Sequence, residues 1–343
     1  MINICVTDKW DDYLHSFEPQ FKDLYFKEEY VKLYETDKEK GMCCVAQEGK
    51  NIMLFPFLKR DFLYTDHYYH DFETAYGYGG PIFNVTDGAF QEMAIKETFE
   101  YLKANNYICG FVRFHTLLKN YKVFNASDII FDRNTVAIDL TLSEEEIWSK
   151  EIHSKNRNVI RKAEKAGLKY VADSEYEYLD DFIHLYNETM DKLSADDFYY
   201  FDKNYYNNFV KNNPNSFLGI VLLDNKVVSA AIFMYDGIYG HYHLSGSDKQ
   251  CLNFSPNNYM LYQSALELKK RGVKLFHLGG GTTSDQDDSL FAFKKKFSPL
   301  LYDFYIGKFI FNQELYNQIC SNWERENPEK AQKYKRFLLK YKY

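Results

Sequence analysis

The chain has 343 residues, room for about two ordinary domains, and 45% hydrophobic content to fill their cores. A formal net charge of −7 excludes a general electrostatic attraction to nucleic acid, DNA included, and no run of about 18 apolar residues reads as a membrane span. Cysteines 5, 43, 44, 109, 251 and 320 show no paired spacing, and the N-terminus lacks a basic start followed by an apolar core, so reduced thiols and a cytoplasmic location are expected.

In chain order, an amphipathic helix is predicted over Glu28 to Tyr34. Strands follow over Cys43 to Gln47 and Ile52 to Leu58, then a tyrosine-rich loop as far as Pro81. A helix from Asp87 to Asn105 and strands Gly110 to His115 and Thr135 to Leu140 complete a first domain, with its boundary near Thr141. Ser143 with Glu146 three residues on is a capping pattern and opens the next helix. Helices Lys155 to Ala166 and Tyr178 to Lys192 precede a hairpin, Phe217 to Leu223 and Val227 to Tyr235, around Asp224-Asn225-Lys226. Strand Tyr239 to Ser245, helix Tyr259 to Arg271 closed by Gly272, and strand Lys274 to Leu278 repeat the rhythm of the first half, which points to an internal duplication.

Two segments carry chemistry. The strand ending at Leu278 runs into Gly279-Gly280-Gly281, where missing Cβ atoms allow close backbone approach, then into an acidic, hydroxyl-rich loop and an apolar stripe bearing Lys294 to Lys296. A lysine beside aromatic rings in a partly dry site can stabilise a developing oxyanion; a solvated basic helix end is the plainer reading. Between Lys150 and Lys169, Arg157 and Arg161 share a helix face and suit a phosphate-bearing substrate, against an ordinary solvated face.

Other constellations stay open at this level. Tyr76, Tyr78, Gly79 and Gly80 form a loop that either holds an anion or sugar ring or is a tight turn with packed tyrosines. Arg113 and His115 alternate out of one strand and either face a cleft or form buried ion pairs. His241, Tyr242 and His243 also alternate, leaving either the histidines or the tyrosine toward a cleft, with His243 as a candidate general base. His67 and His70 lack a third ligand at metal spacing, so no metal is expected. The C-terminal KAQKYKRFLLKYKY is basic with an apolar stripe and suits tRNA or anionic lipid.

Taken in order, TAYGYGGP, VRFHTLLKN, SKNRNVIRKAEKAG, HLSGSDK, SPNNYMLYQSAL and LGGG followed by DDSLFAFKKKF resemble the FemABX peptidoglycan interpeptide-bridge aminoacyltransferases, in a short form without the inserted helical arm. The resemblance implies an α/β (α+β) fold of two tandem GNAT-like domains, each a mixed, mostly antiparallel sheet flanked by helices. These are expected over residues 1–141 and 142–307, with a helical segment 308–343 packing back on the first. It implies Lys294 as the group that neutralises the tetrahedral intermediate and Phe293 as a wall of its pocket; the candidate substrate-binding residues beside them are Tyr76, Tyr78, Gly79, Gly80, Arg113, His115, Arg157, Arg161, Tyr242, His243, Asn257 and Gly279 to Gly281, His115 standing where muropeptide-binding members place an acidic residue. Where muropeptide-binding members use an Arg and a Tyr, this chain has Phe198-Tyr199-Tyr200-Phe201.

The expected activity is transfer of an amino acid or acyl group to an amine of a peptidoglycan or polysaccharide precursor. No resident cofactor is expected; the donor is aminoacyl-tRNA or acyl-CoA, and Ser255-Pro256-Asn257-Asn258 stands where acyl-CoA enzymes carry a glycine-containing loop. Expected partners are a small or lipid-linked envelope precursor and tRNA, with peripheral contact at the inner face of the membrane. The alternatives are acyl-CoA-dependent N-acylation of an amino sugar, and a non-catalytic glycan- or peptide-binding module on the same scaffold.

Overall fold

The computed structural model describes residues 2–196 and 199–343. Two compact units emerge, one from residues 1–132 and 304–343, the other from 133–303. The chain thus leaves the first unit within a strand rather than after Thr141, and it re-enters within another strand.

The first unit opens with β1 (Asn3–Thr7), two short helices, α1 (Asp11–Leu14) and α2 (Glu28–Lys32), and a meander of β2 (Glu39–Glu48), β3 (Asn51–Tyr64) and β4 (His67–Glu73). β4 occupies part of the expected tyrosine-rich loop. Its partner residues explain the strand: Leu63 faces Tyr68 and Phe62 faces Tyr69 across a two-residue turn in which Thr65 and Asp66 both have positive φ. After the two-residue β5 (Ile82–Phe83), which pairs with β3, Asp87 caps α3 (Gly88–Ala104) by accepting the Ala89 and Phe90 N–H groups. β6 (Tyr107–Arg113) then lies parallel to β4. Phe55, Phe57, Phe72, Phe90, Val112 and Phe114 are in the core between sheet and helix.

The second unit takes up the chain within β7 (Ile129–Asp139). Ser143 and Glu146 make the expected reciprocal cap of α4 (Glu144–Glu146), which runs on as a π-helical turn, Ile147–Glu151. α5 (Ser154–Lys165), β8 (Lys169–Asp173), α6 (Leu179–Leu193) and α7 (Lys203–Asn212) lead to a second meander of β9 (Ser216–Leu223), β10 (Lys226–Asp236) and β11 (Tyr239–Ser247). Asp224 and Asn225, both with positive φ, form the β9–β10 turn. α8 (Pro256–Lys270) crosses to β12 (Leu275–Gly279), which lies parallel to β11, and α9 (Ser289–Lys294) follows the glycine triplet. The strand order is β7-β12-β11-β10-β9-β8.

Each unit therefore repeats one plan: an antiparallel meander, a helix, then a strand parallel to the last strand of the meander. β13 (Leu301–Ile310) returns the chain to the first unit, where Ile306 to Ile310 pair with β6. α10 (Gln313–Glu326) and α11 (Pro328–Lys333) follow. Beyond them Leu338 and Leu339 bury against Cys109, and the Tyr341 hydroxyl donates to Asp71 at 2.9 Å. The C-terminal segment is therefore part of the first unit's core. None of the described helices is long and apolar enough to cross a membrane.

Candidate functional site in the second unit

Asp288 organises the loop after the glycine triplet. One carboxylate oxygen accepts the N–H and hydroxyl of Thr282, at 3.0 and 2.7 Å, and those of Thr283, at 3.0 and 3.1 Å. Its other oxygen caps α9 by accepting the Leu290 and Phe291 N–H groups at 2.9 and 3.0 Å. Burial alone would raise this carboxyl's pKa, but the hydrogen bonds from Phe291, Thr282 and Thr283 outweigh it and hold the group well below the usual carboxylate range. The glycines are required by the same packing. A Cβ on Gly281 would enter the Asp288 carboxylate, one on Gly280 would lie 2.9 Å from the Asn134 carbonyl oxygen, and Gly279 has a φ of 75°.

At the other end of α9, Lys294 is 7% exposed, and its Nζ donates to the Gly280 carbonyl oxygen at 2.8 Å. The ammonium lies 5.7 Å from the centroid of the Tyr242 ring. Burial pulls its pKa down from 10.5 to about 7; Asp288 opposes that shift and Arg133 adds to it. Arg133 itself donates to the Gly281 carbonyl oxygen at 2.7 Å. Two consecutive glycine carbonyls are thus engaged by two different cations. A lysine ammonium has three N–H bonds, so one can hold Gly280 while others stay available to an incoming oxygen.

Phe293 is half-buried, its ring edge-on to Phe297 at 5.4 Å. Of the alternating trio on β11, it is Tyr242 that lies by Lys294, stacked on Phe233 and donating to Ser245 at 2.6 Å. Burial raises its pKa to about 12. His243 stacks on Phe209 and sits 3.3 Å from the Tyr205 hydroxyl, and burial, with His241 second, pulls its pKa down to about 3. So weak a base, with those neighbours, is a poor fit to the general-base expectation for His243. Asn257 accepts from Ser229 at 2.6 Å and donates to Ser247 at 3.2 Å, tying the start of α8 to the meander.

Of the two arginines of the expected phosphate face on α5, Arg157 is engaged within the protein. The Arg157 guanidinium is spent on the carbonyl oxygens of Trp148 and Ser149, in the preceding π-helical turn, and of Ile152 just after it, at 3.3, 3.1 and 2.7 Å. Arg161 lies over the Trp148 ring at 5.0 Å and stays exposed. Of the run Phe198 to Phe201, Phe198 lies outside the described residues, Tyr199 accepts the Tyr186 hydroxyl through its backbone oxygen, and Tyr200 donates to Asp191.

In the first unit, Arg113 takes the ion-pair alternative, whereas His115 is held by buried hydrogen bonds. Arg113 bonds Glu73 at 3.2 Å and the Thr74 carbonyl oxygen at 2.9 Å. His115 is fully buried. Its Nδ1 accepts the Leu118 N–H at 3.2 Å, which places the ring proton on Nε2, 2.9 Å from Asp23. The tyrosine loop is a packed turn in which Tyr76 accepts from Tyr30 through its carbonyl, and Tyr78 meets Tyr25 and His115 edge-on at 5.4 and 5.8 Å. Gly79 and Gly80 are buried; the Gly79 carbonyl accepts from Asn120, and Gly80 has a φ of 90°.

Two residues central to this arrangement, Asp288 and Arg133, are absent from the sequence-derived candidates. Asp288 was legible as an N-cap, an Asp placed directly before a helical apolar stripe. Arg133, distant in sequence from the glycine triplet, carries no local signal.

The architecture defines a class, a GNAT-type fold used twice in tandem. Residues 153–295, which include Tyr242, the glycine triplet and Lys294, match the family model described as acetyltransferase (GNAT) domain. Among solved structures, FemX superposes with a TM-score of 0.68 at 17% identity, over 90% of this chain and 97% of that one. L-PGS from Bacillus licheniformis superposes with a TM-score of 0.53 at 14% identity, over 82% and 87%. The fold of this chain is the Fem-like GNAT fold, the one that its sequence motifs resemble. No curated protein sequence matches it.

Proposed function

We propose that the chain is an acyltransferase that moves an aminoacyl or acyl group onto an amine of a cell-envelope precursor, with Lys294 stabilising the tetrahedral intermediate. The supporting observation is the buried Lys294 ammonium, held on the Gly280 carbonyl within the segment that matches an acyltransferase family. The amine nitrogen attacks the ester or thioester carbonyl, the C–N bond forms, and the carbonyl electron pair moves onto oxygen. The Lys294 ammonium hydrogen-bonds that oxygen. Collapse expels the alkoxide or thiolate, and the proton lost by the amine goes to the leaving group. A cation waiting in a poorly hydrated site is worth far more to the oxyanion than it would be in water, and it needs no reorganisation as charge develops. Phe293 and Tyr242 supply the apolar surroundings.

The donor is the finer point. Asn257 and Asn258 are engaged with Ser229, Ser247 and Asn156 at the start of α8, and no glycine-containing loop precedes them. That favours aminoacyl-tRNA over acyl-CoA as the donor. The purified protein is offered charged tRNA or acyl-CoA together with muropeptide or amino-sugar acceptors, and the products are read by mass spectrometry beside a Lys294→Met variant. A covalent product that requires Lys294 supports the reading; undiminished turnover by the variant sinks it.

A further inference from the structure

The C-terminal segment of the first unit presents an aromatic cluster in a basic setting. The Tyr334 and Tyr343 rings stack at 4.3 Å and 6°, and Phe337 meets both edge-on, at 5.5 and 5.7 Å. Phe337 is 50% exposed and Tyr343 41%. Between these two positions the chain is anchored. Leu338 and Leu339 are buried, Tyr341 is bonded to Asp71, and Lys342 bonds Glu39 at 2.6 Å and also Glu73. On the near side, Lys308 donates to the Arg336 carbonyl oxygen at 2.8 Å.

The charges divide in the same way. Lys340 and Lys342 are neutralised by Glu324, Glu39 and Glu73. Lys330, Lys335 and Arg336 are exposed, with no acidic partner among the described residues, and Glu329 is the one acid from position 328 onward. An acidic protein thus keeps a local excess of positive charge around its exposed aromatic rings.

We infer that this surface docks on an anionic phospholipid bilayer, with Phe337 and Tyr343 entering the headgroup boundary and Lys330, Lys335 and Arg336 pairing with lipid phosphates. Aromatic rings with polar tips favour that boundary, and cations beside them are drawn to anionic lipid. A nucleic-acid strand fits less well, since Tyr334 and Tyr343 each have one face covered by the other ring and the protein's net charge is −7. The patch belongs to the first unit, and the inference does not depend on the chemistry at Lys294.

The test is sedimentation of the full chain with vesicles of phosphatidylglycerol or of phosphatidylcholine, at low and high salt. Binding to phosphatidylglycerol alone is expected, weakened by salt and reduced about tenfold or more by Lys335→Glu with Arg336→Glu. Phe337→Ser should weaken binding with less effect on its salt dependence. Both alterations lie at exposed positions, and an unchanged melting temperature verifies the fold. Equal binding to the two lipids, no binding at low salt, unaltered binding by the charge-reversed variant, or binding of tRNA by this patch without vesicle binding would each overturn the inference.

Discussion

Asp288 caps the same short helix that ends at Lys294, so one carboxylate sets the position of the ammonium from the opposite end of α9. The same carboxylate holds Thr282 and Thr283 and packs against Gly281. Loop, helix and lysine are therefore one mechanical assembly, and its parts can be separated by mutation.

Replacing Lys294 should have opposite effects on activity and stability. Lys294→Met should lower turnover by about 10² to 10³, the usual loss for one oxyanion donor, in the donor and acceptor assay described above. It should also raise the melting temperature most at pH 6 and least near pH 10. Below about 7 the lysine is charged both folded and unfolded, and the folded state bears the full cost of a buried ammonium. Between about 7 and the ordinary 10.5 the unfolded chain holds a proton that the folded chain has shed, so stability rises with pH across that window. A melting temperature lowered at pH 6 would contradict this account of the site.

The same titration sets a pH limb on activity. Oxyanion stabilisation needs the protonated lysine, so the turnover of a saturating substrate should fall as pH rises through the neutral range. An intermediate gaining negative charge will move that limb upward from about 7 in the substrate complex. A rate that climbs across the same range, in a pH profile of the parent protein, would instead make Lys294 the acceptor of the amine's proton.

Asp288→Ala should cost on the order of 1–3 kcal/mol in denaturant titrations, from the lost cap and the unpaired threonine N–H groups. Because the folded carboxyl titrates well below its ordinary 3.8, the contribution is present above that value and is lost as pH falls further toward the folded value. Gly281→Ala, which crowds the same carboxylate, should cost a similar amount without removing any hydrogen-bonding atom.

Arg157→Ala and Arg161→Ala separate a structural cation from an exposed one. The first removes the hydrogen bonds to the carbonyl oxygens of Trp148 and Ser149 in the π-helical turn and of Ile152 just after it, and should destabilise by about 1–3 kcal/mol, whereas the second loses only the stack on Trp148, at most about 1 kcal/mol. Thermal unfolding of the two variants side by side measures the difference.

These contrasts show where sequence periodicity reaches and where it stops. β2, β3, the second meander, α3, α5, α8 and the Ser143 cap were readable because apolar spacing, glycine stops and capping residues agree at those places. β4 was hidden because His67 to His70 is a polar, aromatic end of a hairpin with no buried face of its own. α7 was hidden by its Asn-rich sequence, poor in helix propensity and rescued by the Asp202 cap. At the site, the glycine triplet and Lys294 stood out because their residue types are rare in that order. What Arg157 touches, and what lies under Lys294, depend on tertiary neighbours that no local pattern encodes.

A first unit assembled from both ends of the chain has a consequence for synthesis. Strand β6 receives its β13 partner only when residues 306 to 310 have been translated, and the Tyr341 and Lys342 contacts come later still. The contiguous unit 133–303 is complete by then, so on the ribosome the part made second can fold first, while the older segment waits with one sheet edge exposed.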